Sequence, residues 1–271
     1  MALEVQDRGL SRGYFEALTT PISSAAINYF NFRRGFSEYL FQPVNATGGF
    51  FIHVWLTPRI TGMWKYTAAT TTYTDMLEGG TLVDRSIATT VALNSFDADD
   101  AIYIVTSDVV GGFFIDLTNA NANASVVTFT YSDSATTLTG ALTETDGTDS
   151  GGATLAVDGR ITWTAPTDQV QARGNDLGLP AGTPQKPTLP GYWYKMTVSL
   201  DLDSAVSLAQ VVAIPKDAAA YTRLRANTVA NMVEYSVPVN QQACGGIGIR
   251  GSETTDTYAL NANYLKRGTT P

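Results

Sequence analysis

Apolar and polar residues alternate with a period of two along most of the chain, in short runs separated by Gly, Pro, Asn and Asp. Such runs mark antiparallel strands with one buried face. Residues 157–200 set the pattern. Asp158-Gly159 is a turn dipeptide, because Asp bonds its own backbone and Gly tolerates positive φ. Ile161 and Trp163 then alternate with Thr162 and Thr164 until Pro166, which cannot donate to a ladder and so ends the strand. After a Gly/Pro/Asn-rich loop, Tyr192, Tyr194, Met196, Val198 and Leu200 make the better core face of a second strand. Trp193, on the other face, is expected over a loop or a partner. Two such strands need a second sheet to cover them.

The rest of the chain extends this reading. Residues 1–24 read as an arm, because Gly9, Gly13 and Pro21 interrupt every period. Such a segment is disordered or is ordered against a neighbour. Residues 27–41 are aromatic-dense and predict two short strands around a break at Arg34-Gly35. Residues 49–56 are nearly all apolar, as in a strand buried on both faces and covered by its own domain or another subunit. Further short strands are expected over 63–73, 89–93, 101–105, 112–117, 125–131, 205–214, 232–239, 246–250 and 257–265. Their spacing of roughly 8–12 residues is that of a sandwich. Residues 217–233 alone carry a helical period.

The predicted fold is therefore an all-β antiparallel β-sandwich, jelly-roll or Ig-like, with additional terminal strands and an extended N-terminal arm. Its expected parts are an arm with aromatic-rich strands over 1–62, a central sandwich over 63–214, and C-terminal strands over 215–271 packing with the N-terminal layer.

Composition narrows the function. A chain of 271 residues can bury roughly three-quarters of its unfolded surface. The net charge of −8 argues against a nucleic-acid partner, since phosphate needs cations. No apolar run approaches the ~20 residues of a membrane span, and no signal peptide is visible, so the expectation is a soluble chain made in a cytosol. The single Cys244 excludes an internal disulfide and reads as a small buried hydrophobe.

Candidate chemistry is sparse. His53 is the sole histidine, within an apolar strand, and reads as packed rather than catalytic. The clusters Asp97/Asp99/Asp100, Asp146/Asp149 and Asp201/Asp203 could bind Ca²⁺, but turn chemistry explains them without an ion. Glu38, Glu78, Glu144, Glu234 and Glu253 share no grouping of the kind glycoside hydrolysis needs. Gly245 to Gly251 contains G-x-G but opens no helix. No catalytic, metal or cofactor-binding residue is assigned. The stripe Tyr192/Trp193/Tyr194 could stack on sugars, although core packing is its commoner use.

Several elements in order carry a resemblance: Asp99-Asp-Ala-Ile-Tyr-Ile104, Phe113-Phe-Ile-Asp-Leu117, Val127-Thr-Phe-Thr-Tyr131, Asp146-Gly-Thr148, Gly159-Arg-Ile-Thr-Trp163 and Gly191-Tyr-Trp-Tyr-Lys195. Over about residues 63–214 the succession resembles a β-sandwich module of tailed-bacteriophage virion proteins. It departs in its Ser132-Asp-Ser134 hairpin tip and in the long loop of residues 168–190. The resemblance implies a non-enzymatic structural protein of the virion that partners other virion proteins and copies of itself. A capsid decoration or minor capsid protein is the leading expectation, with a tail, connector or baseplate component as the alternative. A carbohydrate-binding module, recognising a host-surface glycan, is the further alternative. The aromatic residues expected at an assembly interface are Tyr14, Phe15, Tyr29, Phe30, Phe32, Phe36 and Trp193.

Overall fold

The computed structural model describes residues 10–22, 27–31, 38–43, 50–78, 82–83, 90–93, 96–183, 187–217, 222–226, 235–238, 244–251 and 258–267. Among them all regular structure is β-strand, apart from one 3-10 turn at Ala68–Thr70. The chain enters through β1 (Leu10–Ile22), β2 (Asn28–Asn31), β3 (Glu38–Pro43) and β4 (Phe50–Pro58). It then builds β5 (Ile60–Thr67), β6 (Thr72–Asp75), β7 (Val91–Ala92), β8 (Ala101–Thr106), β9 (Val110–Asn119) and β10 (Val127–Tyr131). The short strands β11 (Gly140–Ala141), β12 (Thr145–Asp146), β13 (Gly159–Thr162) and β14 (Ala172–Arg173) precede β15 (Pro190–Val198) and β16 (Ser207–Pro215). It ends with β17 (Thr222–Ala226), β18 (Tyr235–Pro238), β19 (Cys244–Gly251) and β20 (Tyr258–Arg267).

Strands β5 to β16 pair only among themselves and form the two sheets of a sandwich, ordered β11-β10-β15-β8-β5-β6, with β14 on β15, and β12-β13-β9-β16-β7. The alternation read along the chain lands on its core. Ile161, Tyr194, Met196, Val198, Val127 and Phe129 are all buried between the sheets. At the centre Trp163 contacts Phe129 (4.9 Å), Phe113 (5.6 Å) and Tyr194 (5.7 Å). The polar ends of two of these rings meet one residue. Trp163 Nε1 donates to the Val110 carbonyl, and the Val110 amide donates to the Tyr194 hydroxyl, both at 2.9 Å. Large aromatics can thus be buried without orphaned donors. Gly112 permits the close approach of β9 to its sheet neighbour β13: its φ is +151° and a Cβ there would lie 2.3 Å from the Ile161 carbonyl oxygen.

The terminal strands form two further sheets, β1-β20-β3-β18 and β17-β4-β19-β2, all antiparallel. Each connection outside the β4–β17 hairpin passes from one sheet to the other. This is the strand order of an eight-stranded jelly roll. The sandwich is inserted where β4 would turn directly into its neighbour β17.

The inserted sandwich is seated on the jelly roll through β16. Its Val211 and Ala213 face the sandwich core, whereas Val212 and Ile214 pack with Tyr29 and partly buried Ile27 and Phe114. Asn31 Nδ2 donates to the Leu82 (2.7 Å) and Val211 (3.1 Å) carbonyls across the same contact. Strand β4 is buried on both faces, Val54 and Trp55 being 0 % and 3 % exposed. Within the chain, β16 packs against β4 from the inserted sandwich, while β17 and β19 flank it in its own sheet.

Two expectations are corrected. Residues 10–22 of the expected arm are a thirteen-residue strand. The chain's own β20 pairs with it, with register shifts between Arg12/Phe15 and Leu18/Ile22, beside Gly13 and Pro21. Backbone pairing orders a stretch that lacks a clean apolar period; the broken period records bulges, not disorder. In the stretch expected to be helical, residues 222–226 are strand β17, paired with β4, and 218–221 and 227–233 lie outside the described residues. The two strands expected within 27–41 exist as β2 and β3, which enter different sheets.

Deleting residues 1–24 removes all of β1 and bares one edge of β20. We expect this variant to show a lower thermal midpoint and increased binding of a hydrophobic dye, read against the full chain. An unchanged melt would show that β1 is dispensable.

Candidate functional site

The aromatic residues expected at an assembly interface are dispersed by the fold. Tyr29 is 5 % exposed and packs on Phe114, with ring centroids 6.1 Å apart, so it serves the contact between jelly roll and sandwich. Burial pushes its hydroxyl up to about 12. Trp193 is fully buried and is corrected likewise. It stacks on Trp64 at 5.9 Å and donates from Nε1 to the Ala172 carbonyl at 3.0 Å. The cover over Trp193 is the chain's own loop, the first of the two covers expected for it. That loop is tied down by Tyr73 Oη to Pro180 O (2.8 Å), Tyr131 Oη to Asp168 Oδ1 (2.8 Å) and Tyr194 Oη to Gln169 Oε1 (2.7 Å). Tyr14 and Phe15 lie on β1 and Phe30 on β2. Phe32 and Phe36 are outside the described residues.

His53 stacks on Trp55, 6.0 Å between centroids, and the Arg250 guanidinium lies 5.3 Å from the Trp55 ring centre. These side chains form a packed cationic–aromatic row on the sheet that carries the insert. Cys244 is half-buried, and burial raises its thiol pKa, which makes it a poor nucleophile. It lines a cleft of about 370 Å³ at the junction, with Trp55, Thr57, Pro58, Asp108, Pro215 and Lys216. The Asp108–Lys216 pair at 3.3 Å is solvent-exposed and contributes little.

The sandwich end remote from the junction has a distinct character. Loops 96–100, 119–126, 147–158 and 199–206 meet there, and they carry seven aspartates but no lysine or arginine. Residues 60–215 hold 17 acidic and 6 basic residues, net −11, and the remaining residues 8 and 11, net +3, which together give −8. The charge is thus concentrated in the insert, away from the jelly roll. Val126 and Leu200, 63 % and 58 % exposed, lie at this tip.

Asn121, 3 % exposed, holds three of these loops together. Its Nδ2 donates to Asn123 O (2.8 Å), Thr154 O (2.9 Å) and Ser125 Oγ (3.1 Å). Its Oδ1 accepts from the Asn123 (3.0 Å) and Asp203 (2.9 Å) amides. The acidic turns spend their oxygens in the same way. Asp97 Oδ1 accepts from the amides of Asp99 and Asp100, and Asp146 accepts from Thr148 and Thr154 hydroxyls at 2.6 Å. Among the described residues no group of three or more His, Cys, Asp or Glu could hold a metal ion. Nearer the junction end, Asp133 orders its loop. Burial would raise its pKa, but hydrogen bonds from the Thr139 amide and the Thr137 and Thr139 hydroxyls outweigh that and hold it at about 2.

Sequence reasoning missed Asn121's reach across loops, because its partners, four backbone groups and the Ser125 hydroxyl, stand 2 to 82 residues away. Asn121→Ala removes every one of these bonds and buries unpaired partners. We expect a loss of ~2–4 kcal/mol in denaturant unfolding. A loss under about 1 kcal/mol would mean that water replaces the side chain.

No family model, curated protein or solved structure matches the chain.

Proposed function

We propose that this chain is a non-enzymatic structural protein of a tailed-phage virion that docks on the particle lattice as a capsid decoration or minor capsid protein. The observation that carries the reading is the jelly-roll strand order of the terminal strands, interrupted in the β4–β17 hairpin by a complete sandwich. Jelly rolls recur in virus capsids and lectins, and this step is an argument by fold analogy. The physical features agree with it. Every described strand pairs with another strand of the same chain, the insert is fixed by a buried contact, and polar side chains at the tip hold loops. The jelly roll, with net charge +3, is the part assigned to the lattice and to neighbouring copies; the acidic insert is carried outwards.

The carbohydrate reading loses its motive. It rested on Tyr192, Trp193 and Tyr194, and the second and third of these are fully buried. An enzyme has no support in the described site chemistry beyond isolated carboxylates. Glu144, for instance, accepts a hydrogen bond from the Phe129 amide.

Antibody against the purified chain, gold-labelled and applied to virions, should decorate the head at regular lattice positions. Gold confined to the tail would move the protein to the tail or baseplate. Particles that contain the protein nowhere would overturn the proposal.

A further inference from the structure

Lys65 on β5 and Asp100, in the turn that leads into β8, meet in the interior of the sandwich. Their side chains are 12 % and 1 % exposed, and Lys65 Nζ stands 4.0 Å from Asp100 Oδ2. Asp100 Oδ1 accepts the Ala68 amide at 2.8 Å. Oδ2 is buried with no hydrogen-bond partner. The Phe96 ring lies 5.7 Å from the nitrogen and is itself fully buried.

An ion pair in such a place normally closes to hydrogen-bonding distance and satisfies both carboxylate oxygens. This one leaves an oxygen with no donor, which is costly for a buried charge. Burial lowers the Lys65 pKa and raises that of Asp100; the attraction between the two opposes both shifts without cancelling them. Both shifts oppose charge on the pair, which is held in a largely buried site.

We propose that Lys65 and Asp100 condense into an intramolecular amide, a covalent staple between β5 and the turn before β8. The neutral Nζ attacks Asp100 Cγ and the N–C bond forms. The bond from Cγ to the hydroxyl Oδ2 then breaks, and an amine proton leaves with it as one molecule of water. The Ala68 N–H on Oδ1 stands where negative charge develops in the tetrahedral intermediate. Fixed proximity supplies much of the acceleration. No oxidant or other reactant is consumed. The staple would give a chain with a single cysteine an internal cross-link that a disulfide cannot provide.

The test is an intact-mass measurement on the denatured full chain, followed by tryptic mapping. The expected mass is one water below the sequence mass, with no cleavage after Lys65 and one branched peptide that contains both Lys65 and Asp100. Lys65→Arg keeps the positive charge but should restore the full mass. The proposal is overturned by a full mass with cleavage after Lys65. It is equally overturned if the missing water persists in Lys65→Arg, which would place the dehydration elsewhere, for example at an Asp-Gly pair.

Discussion

The structure depends on the burial of β16 on both faces. On one side Val211 and Ala213 close the sandwich core; on the other Val212 and Ile214 meet Tyr29. Each fully buried aliphatic side chain contributes roughly 1.5–3 kcal/mol, so a few residues on one strand bind two modules together. Asn31 satisfies the Val211 and Leu82 carbonyls at that contact and fixes its register. Gly245 allows the close approach where the insert begins, since a Cβ there would lie 2.9 Å from Arg59 Cα. A strand exposed on one face would have left the insert on a loose tether instead.

That constraint gives the chain its division of labour. A jelly roll whose first and last strands pair with each other, β1 with β20, closes on its own termini. Inserting a sandwich into one hairpin leaves the other connections undisturbed and presents a second module at a fixed attitude. The insert carries the excess negative charge, and its far tip is cross-braced by one buried amide. These properties are what the proposed structural role would require. An amide between Lys65 and Asp100 would serve the same end.

Much of the sandwich was legible in the sequence, because a period of two reports which side chains are buried together. Ile161, Trp163, Val127, Phe129, Tyr194 and Met196 all fall where the alternation puts them. Leu200 follows the same period yet is 58 % exposed, since the strand has already ended at Val198. The terminal sheets were harder. Their ladders join residues far apart in the chain, such as Leu18 with Leu260, and no local pattern encodes such a partner. Gly13 and Pro21 read as breaks in order when they mark bulges. Trp193 and Tyr29 were placed at an assembly interface because alternation cannot tell cover by the chain's own loop, or by a second module on the outer face of a sheet, from cover by a partner.

The central claim is that sandwich and jelly roll are joined by a dry contact through β16. Native-state hydrogen exchange, resolved by peptide, measures this directly. The account predicts that the amides of β9 and β16 exchange slowest and that those of β4 and β19 are protected alongside them. It would be contradicted if β16 exchanged as fast as the edge strands β7 and β11 while β4 and β19 opened independently.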